Sequence, residues 1–279
     1  MTSKKGLTWS TFGILVLLAA TFLLLWAFAG NFVGILKKGG DVEACRLSVL
    51  AQAQTNKLVG TSPVPFQCNR RQVKLYNNKI EINGQKDTKY DFKELNSNIV
   101  NKLVAEELRL CWYALGEGEL SVFEQDLIDP GIITFTGESV CDICAEISFD
   151  KSVDSTKQFT GLLDYLKSTK VPDGSYYYFD YLIKSQKDKY IFGIVPWTHY
   201  TPWSWGTTDQ VSENLEENLK KYEEGGTNTE FKPDERYVVY FLGWKPSKAK
   251  EIIRTSISAY YIGLSSPEKV STKCRRLVN

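Results

Sequence analysis

The chain is poor in the residues that most reactions use near neutral pH. It has a single histidine, His199, in 279 residues. A Ser/His/Asp or Cys/His catalytic set, a multi-histidine metal site and a histidine pH switch must all use that residue or do without. Neither sign of charge is in excess: 34 Lys and Arg face 33 Asp and Glu, a net charge of +1. This balance argues against a general electrostatic affinity for nucleic acid. The sequence contains no glycine loop of Walker or Rossmann spacing and no Asn-x-Ser/Thr acceptor. With 43% hydrophobic and 24% charged residues, the chain can bury a full core and is neither disordered nor collagen-like. No signature names an activity.

Charge is missing most conspicuously at the amino terminus. From Gly6 to Leu36 there are 31 consecutive residues without one. As a helix this run reaches roughly 46 Å, more than a bilayer's hydrocarbon core, so it predicts a transmembrane segment that tilts or protrudes. Trp9 and Trp26 suit the two interfaces. The expected anchor is 1–38, with residues 7–36 in the lipid bilayer. A cleavable secretory signal is the rival, since Lys4 and Lys5 form a basic start and Ala27-Phe28-Ala29 has the small-x-small form of a cleavage site. Lys37 and Lys38 follow the run as Lys4 and Lys5 precede it, so charge alone leaves the orientation open.

Lys4-Lys5-Gly6-Leu7-Thr8 running directly into the apolar stretch resembles the class III signal of archaeal type IV pilin-like proteins, in which a peptidase cuts after the glycine. The resemblance implies a mature chain beginning at Leu7 and a pilin-like subunit as one functional reading. Thr11 stands where the bacterial pilin pattern has a glutamate.

Six cysteines, Cys45, Cys68, Cys111, Cys141, Cys144 and Cys274, all follow the apolar run. An even count favours disulfides outside the cytoplasm. Cys45 with Cys68 is the nearest-neighbour expectation, across a loop holding Gly60, Pro63 and Pro65. Cys141-Asp-Ile-Cys144 is the one spacing with a sharp chemical reading, a reversible redox pair. Redox enzymes place the first such cysteine at a helix start, whereas Ala145-Glu-Ile-Ser-Phe149 alternates like a strand. A four-sulfur zinc site lacks a second close pair. Structural bridges are the leading expectation, a thiol-disulfide oxidoreductase using Cys141 and Cys144 is the alternative, and no metal or cofactor is called for.

Cys45-Arg-Leu-Ser48-Val49, Cys111-Trp112, Gly116-Glu-Gly118 and Cys141-x-x-Cys144 with Ile147-Ser-Phe149-Asp150 resemble membrane-anchored archaeal proteins of unknown function. The resemblance spans residues 1–150 and implies architecture and compartment only.

Beyond residue 40 the chain holds 30 basic and 33 acidic residues, slightly acidic overall. Gly39-Gly40 marks the exit from the membrane run. Asp41 is placed to cap a helix to about Asn56, with Val42, Cys45, Val49 and Ala53 on one face. Gln72–Tyr76 and Lys79–Ile82 flank Asn77-Asn78 as a hairpin. The strongest helix is expected from Asp91 to Leu115, with Val100, Leu103, Val104, Leu108, Cys111 and Trp112 at three- and four-residue spacing and Gly116 as its stop. An inward Cys111 is then placed to bridge Cys141 or Cys144.

Further strands are expected at 132–135, 144–149, 236–242 and 253–262, and a helix at 155–168. Residues 176–183 and 190–195 are expected to pair as a hairpin, and 209–224 reads as a solvated helix or insertion. Interspersed helices and strands without βαβ alternation give an α+β class: an N-terminal transmembrane helix followed by a mainly antiparallel sheet with packed helices. The soluble part is 39–279, with 41–150 and 151–279 as the alternative division.

Pro196–Trp205 packs Trp197, His199, Tyr200, Trp203 and Trp205 into ten residues. Such a surface suits a protein or glycan partner, or the membrane interface, and equally a plug at the end of a sheet. Glu117, Glu119, Glu124 and Asp126 invite a paired-carboxylate glycosidase reading, but acids are too common to carry it. The expectation is a single-pass membrane protein with an extracytoplasmic domain, in a binding, structural or surface-assembly role, and an enzyme ranks below that.

Overall fold

The fold is taken from a computed structural model and is described for residues 21, 41–55, 67–118, 120, 138–183, 230–245, 259–274 and 276–277. Helix α1 covers 41–55 and turns Cys45, Val49 and Ala53 inward. Strands β1 (Arg71–Leu75), β2 (Ile80–Ile82) and β3 (Gln85–Lys86) follow. Alternation in β1 sends Val73 and Leu75 into the core and Gln72 and Lys74 outward, as period-two geometry requires. The turn from β2 to β3 uses Asn83 and Gly84, both at positive φ (51° and 77°), the conformation of a two-residue hairpin loop.

Helix α2 spans Ser97–Ala114. It starts six residues later than the sequence pattern predicts, because the Asn96 side chain caps it by accepting from the Ile99 amide at 3.1 Å. Before the cap, the buried Leu95 sends its amide to the Asn77 carbonyl at 2.8 Å, which holds 91–95 out of the helix. The helix stops at Gly116, whose φ of +82° suits glycine.

Strand β4 (Glu138–Phe149) is the centre of the sheet. The order is β3-β2-β1-β4-β5-β6, with β5 at Tyr237–Lys245 and β6 at Ala259–Ser265. β1 lies parallel to the second half of β4, and a short β7 (Arg276–Leu277) lies parallel to its first half. The other pairings are antiparallel, so the sheet is mainly antiparallel and the class is α+β. One sheet draws its strands from both sides of residue 150.

Three short helices complete the described fold: α3 (Leu162–Ser168), α4 (Tyr178–Ile183) and α5 (Pro267–Lys273). α2 crosses β4, β5 and β6, with α3 and α4 packed on it. The main core lies there, where Trp112 meets Phe241 at 5.7 Å between ring centroids. On the opposite face Val270 of α5 and Cys274 cover Cys141, Ile143, Val238, Tyr240 and Leu242.

Other expected elements change as well, β4 among them, which begins at Glu138 rather than at 144. Residues 178–183 form a helix, not a strand: Tyr178 and Leu182 are both buried at i, i+4, so the aromatic run satisfies helical as well as strand spacing. The helix expected over 155–168 begins only at Leu162. Gly161 at φ +88° and the Phe159–Phe231 bridge hold the preceding residues out of it.

Among the described residues no helix is long and apolar enough to cross a membrane. The expected bilayer segment 7–36 lies outside the described residues except Thr21, which is helical. Also outside them are the aromatic residues Trp197, His199, Tyr200, Trp203 and Trp205, the acids Glu119, Glu124 and Asp126, and the elements expected at 132–135, 190–195 and 209–224.

Candidate functional site

The six cysteines form three bridges: Cys45–Cys68, Cys111–Cys144 and Cys141–Cys274. Cys45–Cys68 ties α1 to the segment entering β1. Cys111–Cys144 ties α2 to β4 across the main core, and Cys141–Cys274 ties the other face of β4 to the end of α5. Cys141 and Cys144 therefore belong to different bridges. Three residues apart on an extended strand, their Cα atoms are separated by about 10 Å, beyond the roughly 7 Å a disulfide spans. A bond between them requires β4 to break.

The strand serves both faces because of a bulge. β4 and β5 pair in register through Ile143–Tyr240, skip Cys144, and resume at Ala145–Val239. Cys141 and Ile143 thus face α5, whereas Ala145 and Ile147 face α2. Cys144 packs against the α2 side.

Two of the bridges line one small cavity of about 20 Å³, room for a single water. Its walls are α1 (Asp41, Val42, Cys45), the segment into β1 (Cys68, Asn69, Arg71), α2 (Glu107, Leu110, Cys111, Ala114) and β4 (Asp142, Cys144). Arg71 and Glu107 meet as a fork, Nε donating to Oε2 at 2.9 Å and Nη2 to Oε1 at 3.0 Å. The Glu107 side chain is 2% exposed and that of Arg71 19%. Burial pushes the Glu107 carboxyl above its ordinary value, and the guanidinium opposes that shift. Asp142 is buried beside them, 1% exposed.

A second polar cluster sits where α1, α2 and α4 meet. Arg109 forks onto Glu106 at 2.8 and 2.7 Å, and the Tyr178 hydroxyl donates to the same carboxylate at 3.0 Å. The Tyr181 hydroxyl donates to Glu117 at 2.5 Å. Arg46 donates to the Tyr113 carbonyl, lies 3.8 Å over the Tyr113 ring and pairs with Glu117 at 3.5 Å. Burial raises the Tyr178 and Tyr181 phenols well above the ordinary tyrosine value, and their carboxylate partners add to it. Both phenols therefore stay protonated donors, and the cluster locks three elements together.

Sequence patterns brought out the cysteines but not Arg71, Glu107 and Asp142. One signal for Glu107 was legible: it falls on the apolar stripe of α2 between Val104 and Cys111, where an acid needs a buried partner. Among the described residues, no group of three or more His, Cys, Asp or Glu is placed to hold a metal ion. No family model, curated protein or solved structure matches the chain.

Proposed function

We propose that this chain is a disulfide-stapled α+β domain held outside the cytoplasm by an N-terminal membrane segment, where it acts by binding or by assembly into a surface structure. One observation carries the reading: all six cysteines are paired, and each bridge joins separate elements of one fold. Bridges of this kind form and persist in oxidising compartments and are rare in the cytosol. The uncharged run from Gly6 to Leu36 supports the anchor. The aromatic stretch Trp197, His199, Tyr200, Trp203 and Trp205 is the proposed contact for a protein or glycan partner.

Protease shaving tests the arrangement. Protease added to intact cells releases fragments from 39–279 while a cytosolic control protein survives. A domain untouched until lysis contradicts the proposal. Sequencing the mature amino terminus in the same sample reads the anchor: Met1 or Thr2 for an uncleaved one, Leu7 for the pilin-like form.

A further inference from the structure

We infer that Cys111–Cys144 is the bridge that thiol–disulfide exchange reaches first, a redox-sensitive link between α2 and β4. The inference rests on the bridges being oxidised in the native protein, as proposed above.

Two observations single it out. Cys144 is the one cysteine only partly buried, whereas Cys45, Cys68, Cys111, Cys141 and Cys274 lie between 0% and 8% exposed. Among the described residues Cys144 is also the only one of β4 without a register partner: β5 skips it, β1 begins opposite Ala145, and the described part of β7 pairs Val140 and Cys141. Moving its side chain therefore disrupts no ladder position. Exchange needs access to a sulfur along the line of the S–S bond, and access sets the order among bridges of similar chemistry.

The step balances with a dithiol reductant. A thiolate of the dithiol attacks the Cys144 sulfur, and the Cys111 sulfur leaves as a thiolate and takes up a proton. The second thiol of the reductant then closes its own disulfide and releases Cys144. Two electrons and two protons pass from the dithiol to the bridge. The fold tolerates this opening, because Val100, Leu103, Val104, Leu108 and Trp112 still bury α2 against the sheet. What loosens is the end of α2 and the bulge of β4.

Graded reduction of the folded full-length chain tests the inference. Samples taken during mild dithiothreitol treatment are blocked with N-ethylmaleimide, then unfolded, fully reduced and labelled with iodoacetamide for peptide mapping. Cys111 and Cys144 should take the first label roughly tenfold faster than the other four, the difference that access makes. Hydrogen exchange should then rise at 110–116 and at the bulge residue Cys144 and stay unchanged in β2 and β6. First labelling of Cys45 with Cys68, or of Cys141 with Cys274, overturns the inference, as does equal labelling of all six. A thiol count before reductant separates the two claims: free thiols there contradict the compartment reading alone, and the labelling order is then scored after air oxidation.

Discussion

Arg71 and Glu107 form the most consequential single contact, because neither partner is tolerable alone. Replacing one member of a buried pair leaves a charge in a place that cannot solvate it. Arg71→Met should cost about 3 kcal/mol at pH 7, read from the urea midpoint. Burial already lifts the Glu107 carboxyl in the folded state, and losing the guanidinium lifts it further. A raised folded pKa means the native state holds the proton more tightly than the unfolded chain. The penalty therefore grows as pH rises and shrinks as it falls, so the variant's deficit should be smaller at pH 4 than at pH 7. A deficit equal at both values contradicts this role.

Asp150 works with the opposite sign. Lys74 beside it and the Ser152 amide hold its carboxyl at about 2 rather than 3.8. Its contribution is full above the unfolded value of 3.8 and is lost as pH falls toward 2. Asp150→Asn should therefore lower stability at neutral pH, where the contribution is full, and flatten the stability profile as pH falls through that interval, both read from urea midpoints at pH 7 and between pH 4 and 2. Gly263 makes a steric demand instead: a Cβ there lies 2.4 Å from the Tyr240 ring. Gly263→Ala should destabilise by roughly 1–3 kcal/mol through overpacking, and an unchanged thermal midpoint contradicts that packing.

Among the elements, α2 organises the fold and depends on its cap. Asn96→Ala removes the acceptor for the Ile99 amide and should cost about 1 kcal/mol, whereas Asn96→Asp should keep most of it. The stripe from Val100 to Trp112 made this helix legible in the sequence, because burial against a sheet leaves a 3.6-residue period. The β1–β2 hairpin was legible for a similar reason, with alternation on both sides of Asn77-Asn78. α4 was not, since Tyr176 to Ile183 fits two periods and only the packing of Tyr178 and Leu182 against α2 and α3 decides between them. The bulge at Cys144 left no local mark either. It arises from a register shift against a strand nearly a hundred residues away, and it sends Cys141 and Cys144 to different partners.

Across the whole molecule, the bridges fasten layers that the chain reaches at different times. Cys141–Cys274 has a sequence separation of 133, and Cys45–Cys68 and Cys111–Cys144 have separations of 23 and 33. In the chain-entropy model such loops contribute about 3–5 kcal/mol each when taken alone, most for the longest. Bridges of this kind persist in oxidising compartments, and that link is the centre of the proposed function. The most direct test is non-reducing mass mapping of the protein alkylated as it leaves its native membrane. The account predicts no alkylated cysteine and three cross-linked peptide pairs: Cys45 with Cys68, Cys111 with Cys144, and Cys141 with Cys274. Six alkylated thiols, with none of these pairs, contradict it.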